Sequence, residues 1–176
     1  MSHDLISSSV TFHFSQPTVL LVRDVAGDYR QIGADQVLQA AQQVLLERVR
    51  GSDVLSSPQV VRDYLRMRLS GLEHEIFAVV HLDSQNRVID YVEMFRGSVS
   101  QTSVYPREVV RECILRNSAG LLLVHNHPSG SAQPSRADEV LTQTLKAALS
   151  LIDVRVLDHL IVAGSDTLSM AERGLM

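Results

Sequence analysis

The stretch from Leu121 to Asp138, LLLV-HNHPSGSAQPSRAD, constrains this chain more than any other. Its four leading apolar residues, Leu121 to Val124, read as a buried strand. The strand delivers His125 and His127 into a loop punctuated by Pro128, Gly130 and Pro134, which shape the turn. Ser135 and Asp138 then stand where a long helix begins. Successive strand side chains alternate faces, so residues two apart share a side. With strand geometry kept through them, His125 and His127 aim both imidazoles at one point. A helix starting at Ser135 brings the Asp138 carboxylate to the same point. Two imidazoles, one carboxylate and an open fourth position are the usual constellation of a catalytic zinc. Imidazole nitrogen suits zinc better than magnesium, so one Zn2+ per chain is the expectation.

Each part also has a metal-free explanation. Ser135-Arg136-Ala137-Asp138 fits a capping box, with Ser at the N-cap and Asp at N3. HNHPSG by itself is a serviceable polar turn. Capping gives no reason, however, for a His-x-His at the end of an apolar strand. The cap and the metal site are also compatible, because a packed helix start helps hold Asp138.

His125-x-His127, seven intervening residues, then Ser135-x-x-Asp138 resembles the JAMM signature of JAB/MPN metalloproteases. HNHPSG followed by PSRAD is similar to the RadC-like branch of that family, and the resemblance runs from about Ser57 to the C-terminus through HEIFAVVHLD, YPREVV and VLDHLIV. It implies an α/β fold of JAB/MPN type, a mixed β-sheet flanked by helices. It also implies an upstream glutamate, and Glu75 in HEIF matches that position. Glu73 lies two residues earlier and can face the same way, but Glu75 directly precedes the strand. In this reading a metal-activated water, its pKa lowered toward ~7, attacks an amide carbonyl. Glu75 takes the proton and returns it to the leaving amine. Ser135 donates to the tetrahedral oxyanion, a contact worth ~10²-fold or more in rate. Asn126, between the ligands on the other strand face, supports the site from behind.

With 176 residues, 45% hydrophobic and 20% charged, the chain suits one full-sized core. A net charge of −4 argues against a general nucleic-acid-binding surface. Lys146 is the only lysine among sixteen basic residues, a bias with no physical account. The sole cysteine, Cys113, excludes an intrachain disulfide, and with Val109, Val110 and Ile114 it reads as part of a helical core stripe. The start MSHDLISSS does not read as a signal peptide, and no apolar run approaches the ~20 residues that span a bilayer. The expectation is a soluble, cytoplasmic protein with no membrane partner.

In chain order, Val10, Phe12 and Phe14 alternate with polar residues, and Val19–Val22 and VAGDYRQI suggest further short strands. Helical spacing covers Ala34 to Val49, and Gly51-Ser52 marks the boundary between an N-terminal extension (1–52) and the main domain (53–176). Ser57-Pro58 starts a helix with the stripe Val60, Val61, Tyr64, Leu65 and Leu69. Ile76–Leu82 and Arg87–Phe95 form a hairpin about Asp83–Asn86, and Gly97–Val104 suggests a third strand. A helix from Pro106 to about Asn117 precedes the Leu121 strand. Ser135–Ile152 is helical with Val140, Leu141, Leu145, Ala148 and Leu149 on one face. Val154–Ala163 is a strand, and Met170–Leu175 a closing helix. His74, His81 and His159 read as structural, with His159 buried and hydrogen-bonded among apolar strand residues.

The function that follows is a zinc metallohydrolase cutting a peptide or isopeptide amide in a protein or peptide substrate. The alternative is a DNA-repair-associated accessory protein, the traditional label of the RadC family, whose longer members carry an N-terminal helix-hairpin-helix. None of the nine glycines here forms a G-x-G hairpin, which, with the negative charge, counts against DNA binding. A third reading, a non-catalytic MPN binding module, would be expected to lose ligands, and all are present. The apolar residues of 10–22 permit a strand that pairs with a second subunit, so a dimer is compatible with the sequence.

Overall fold

Two seven-residue strands set the architecture because both of their faces are covered. Ile76–Leu82 (β3) and Gly120–Asn126 (β5) are buried at every position. Such strands read as continuous apolar runs, since no face is left for a polar alternation. The computed structural model describes residues 20–23, 27–54, 56, 58–97 and 103–176. β3 and β5 form the middle of a five-stranded sheet with Val88–Arg96 (β4), Arg155–Ala163 (β6) and Asp166–Ser169 (β7), in the order β4-β3-β5-β6-β7. β3 runs antiparallel to β4 and β5, β5 parallel to β6, and β6 antiparallel to β7. The β3–β4 turn is closed by the Asp83 carboxylate, which accepts the backbone N–H of Gln85 and of Arg87. The parallel β5–β6 pair needs a crossover, and Arg136–Ser150 (α4) supplies it.

Strand parity assigns the two cores. Ala78, Val80 and Leu82 of β3, Leu122 and Val124 of β5, and Leu160 and Val162 of β6 meet Val61, Tyr64, Leu65 and Leu69 of Pro58–Leu69 (α2). On the other face Phe77, Val79, Leu121 and Leu123 pack against Val109 and Cys113 of Pro106–Leu115 (α3) and Leu145 and Leu149 of α4. Burying one such leucine contributes ~1.5–3 kcal/mol. The mixed sheet between helices is the α/β arrangement the sequence implies.

The chain separates into two compact units, Met1–Ala41 and Gln42–Met176. The first holds an antiparallel pair, Leu20–Arg23 (β1) with Tyr29–Ile32 (β2), in which Arg23 Nε donates to the Gly27 carbonyl at 3.1 Å. The helix Ala34–Val49 (α1) keeps its expected bounds, and its last residue, Val49, is buried in the α2-side core. The expected strand at Val10–Phe14 lies outside the described residues, as do Ser57 and most of the expected strand at Gly97–Val104.

Four expectations need correction. Met170–Leu175 is not a helix: residues 170–174 are turns, closed by the Leu175 N–H on the Met170 carbonyl at 2.9 Å. The chain before it forms β7 instead, folded back by Gly164-Ser165 with Gly164 at φ 56°. That Gly-Ser between apolar segments is a hairpin signal in its own right. On α2 Val60 is exposed at 36%, on α3 Ile114 at 64%, and on α4 Val140 at 54%. The buried stripe of α4 is Asp138, Thr142, Leu145 and Leu149, so two polar residues occupy core positions. No described helix is long and apolar enough to cross a membrane.

Candidate metal centre

The site forms where β5 runs out and α4 begins. The His127 N–H donates to the Val162 carbonyl at 2.9 Å, carrying the β5–β6 pairing one residue past the strand. Alternation is thereby preserved, and His125 and His127 share a face with ring centroids 4.7 Å apart. Beyond them the chain must reverse, and the Gly130 N–H closes a turn on the His127 carbonyl at 3.1 Å. Gly130 has φ 80°, a left-handed conformation in which a side chain would be strained. The turn presents the Ser131 carbonyl to His127 Nδ1 at 2.7 Å. A carbonyl only accepts, so Nδ1 carries the proton.

Asp138 arrives on the first turn of α4, and the capping box is real. Ser135 Oγ accepts the Asp138 N–H at 3.2 Å, while Asp138 Oδ2 accepts both the Ser135 N–H at 2.6 Å and its hydroxyl at 2.7 Å. The cap holds Oδ2 and leaves the carboxylate facing the histidines. Asp138 Oδ1 lies 3.3 Å from His125 Nε2, and Oδ2 lies 3.6 Å from His127 Nε2. The two Nε2 atoms are 2.9 Å apart. His125, His127 and Asp138 are the group of metal-competent ligands found among the described residues. Tetrahedral zinc with bonds of about 2.0–2.2 Å separates its ligand atoms by about 3.3–3.6 Å. The two imidazole–carboxylate separations match that spacing, the Nε2–Nε2 approach is shorter, and the donor set is one zinc accepts. Two imidazole nitrogens and a carboxylate that converge on one point are a donor set that could hold a divalent ion, so the residues fit the metal.

Burial pulls the His125 pKa down to about 4, against the opposing pull of Asp138. His127 is raised, first by the Asp138 carboxylate 3.6 Å away, against the effect of burial, with the Ser131 carbonyl and the Glu75 charge adding. Burial works to raise Asp138, but bonds from His127 and Ser135 and the charge of His125 outweigh it, holding the carboxyl well below its usual range. The site therefore keeps a carboxylate beside a buried neutral imidazole.

The remaining residues stand around this trio. In the β3–β5 register Phe77 faces His125, so the same register continued two residues sets Glu75 across from His127. The half-buried Glu75 is thus on the site's side of the sheet. Asn126, itself buried, points to the opposite face and binds the backbone on both sides of Glu75. His159 reads as expected, buried and hydrogen-bonded: its Nε2 is 2.8 Å from His125 Nδ1 and its Nδ1 is 2.6 Å from Thr142 Oγ1. Burial lowers its pKa well below the ordinary value. Thr142 is the residue that sequence reasoning misses. Its signal is a polar side chain four residues after Asp138, on the buried stripe of α4.

A sequence model described as a RadC-like JAB domain matches residues 55–175. The chain belongs to the RadC-like JAB-domain family. Its similarity to curated members is high. A UPF0758 protein of Acidovorax sp. (strain JS42) is 59% identical over 140 residues, which is 80% of this chain and 59% of that one. A UPF0758 protein of Aromatoleum aromaticum is 54% identical over 149 residues, covering 84% and 65% of the two chains. One from Variovorax paradoxus is 49% identical over 156 residues, covering 89% and 69%. The chain spans about three fifths of the length of the first of these relatives. All the residues of the site lie inside the RadC-like JAB match.

Proposed function

We propose that the chain is a zinc-dependent hydrolase of JAMM type that cleaves a peptide or isopeptide amide. His125, His127 and Asp138 would hold one zinc per chain. When bound, zinc supplies a Lewis acid that acidifies water toward ~7 and polarises a carbonyl. Glu75 is the general base in this reading, supported by the strand register that sets it across from His127 and by its charge acting on that ring. Asn126 keeps it there by fixing the flanking backbone. Ser135 is the oxyanion donor. Its hydroxyl proton is committed to Asp138 Oδ2, so the group must rotate off the cap to reach a substrate oxygen.

The observation that carries the proposal is the meeting of His125 Nε2, His127 Nε2 and Asp138 at 2.9–3.6 Å, where the end of β5 faces the first turn of α4. The test is metal analysis of protein purified without added metal, beside His127→Ala and Asp138→Ala. About one zinc per chain, lost in both variants, is expected. Folded protein that takes up no zinc even when offered it overturns the hydrolase reading. Screening peptide and isopeptide substrates, with Glu75→Gln as the inactive control, then tests the chemistry.

A further inference from the structure

We infer that His159, backed by Thr142, is a positioning residue that decides which nitrogen of His125 bears the proton. It thereby keeps His125 Nε2 as a bare lone pair aimed at Asp138 and His127. The consequence for metal binding rests on the proposed function, whereas the proton order does not.

The order follows from the end of the chain that can only accept. The Asp138 backbone carbonyl lies 2.6 Å from Thr142 Oγ1, one helical turn away on α4. The threonine hydroxyl has a single proton and gives it there. The Met170 sulfur, 3.8 Å from the same oxygen, is too weak an acceptor to compete. Toward His159 Nδ1, at 2.6 Å, Thr142 Oγ1 must therefore accept, so Nδ1 carries the hydrogen. His159 is fully buried, its ring T-shaped to that of Phe77 with centroids 5.9 Å apart. Among the described residues its ring nitrogens meet only Thr142 and His125. A neutral imidazole has one N–H, so His159 Nε2 accepts, and the donor 2.8 Å away is His125 Nδ1–H. His125 Nε2 is left without a hydrogen.

The two histidines are thus set by different anchors. His127 takes its tautomer from the Ser131 carbonyl, four residues along its own loop. His125 takes its tautomer from β6 and α4 through a relay of three hydrogen bonds. Asp138 and Thr142, at i and i+4, lie on one helical face. The same turn of α4 therefore supplies a carboxylate ligand and the anchor for an imidazole ligand. A shift of α4 would disturb both together.

The test uses the full chain, metal-free, with its imidazole nitrogens followed by long-range proton–nitrogen correlation. His125 is expected as the Nδ1–H tautomer. Thr142→Val keeps the shape and removes the hydroxyl, which frees His159 to carry its proton on Nε2 and pushes the His125 proton to its own Nε2. The expected result is that altered tautomer and a 10–100-fold weaker zinc affinity, the usual effect of losing such outer support. Thr142→Ser should restore both. An Nε2–H tautomer of His125 in the parent overturns the inference, as does a Thr142→Val protein with the parent's tautomer and affinity. A parent that shows Nδ1–H but binds no zinc upholds the proton order and removes the ligand reading instead.

Discussion

Asn126 Oδ1 accepts the backbone N–H of Ile76 at 2.7 Å, taking the place of the β5 backbone carbonyl that would accept it if the ladder continued. Its Nδ2 donates to the His74 carbonyl at 3.0 Å, so one side-chain amide imitates a peptide group and pairs both neighbours of Glu75. The entrance to β3 is held at the point where β5 turns away to carry His127. Asn126→Ala removes both bonds and leaves the buried Ile76 N–H without an acceptor. The expected cost is ~1–3 kcal/mol in denaturant unfolding. Amide exchange at Ile76 should accelerate selectively, and exchange unchanged from the parent would contradict the account.

Asp138 has two duties that substitution can separate. Its Oδ2 accepts the Ser135 N–H at 2.6 Å, and a neutral amide oxygen can do the same. Asp138→Asn should therefore keep α4 capped and melt close to the parent, while losing the carboxylate that faces the histidines and with it the proposed zinc binding. Asp138→Ala loses both and should be less stable by ~0.5–2 kcal/mol, the range for a lost cap. Equal melting temperatures for the two variants would show that the cap contributes nothing.

How far the sequence exposes the fold depends on which neighbours a residue needs. β3, β5 and the starts of α2, α3 and α4 are legible because continuous apolar runs, Pro58, Pro106 and Ser135 are local signals. His125, His127 and Asp138 are legible for the same reason: strand alternation and a helix start are local patterns that already aim them at one point. Thr142 is not, because its reason for being buried is His159, 17 residues away on another element. The α4 stripe is misassigned by one position for that same cause. A polar pair, Asp138 and Thr142, occupies the buried face, while the apolar Val140 is exposed. Residues 170–174 look helical in pattern but lie after a tight hairpin, where Asp158 accepts the Ala171 N–H at 3.0 Å and Ser169 Oγ at 2.6 Å. Those bonds hold the chain in turns.

Cys113 is 1% exposed between α3 and the sheet, and burial pushes its thiol up to about 11. A thiol whose pKa is raised stays protonated, and the thiol is not the nucleophile. Native protein at pH 8 should resist iodoacetamide, with one cysteine modified only after denaturant is added. Rapid modification of the folded protein would show that the α3 packing opens under native conditions.

His81 contributes to the acid limb of stability. It is fully buried on β3, with Nδ1 2.8 Å from Ser118 Oγ and with Nε2 lacking a hydrogen-bond partner among the described residues. Burial, reinforced by Arg116 and opposed by Asp90 and Glu112, lowers its pKa from the ordinary 6.5 to about 4. The unfolded chain therefore binds a proton in this window that the folded chain refuses, and stability rises with pH across it. The contribution is complete above pH 6.5 and lost as the pH falls toward 4. For a shift of this size the loss is about 3 kcal/mol. His125 and His159 are depressed as well and add their own losses, so the absolute curve belongs to all three. Comparison with His81→Leu isolates one of them, because leucine cannot charge. Whatever the variant costs at neutral pH through Ser118, its stability should fall less steeply than the parent's between pH 6.5 and 4. Parallel curves would mean that the fold opens around His81 before the ring is protonated.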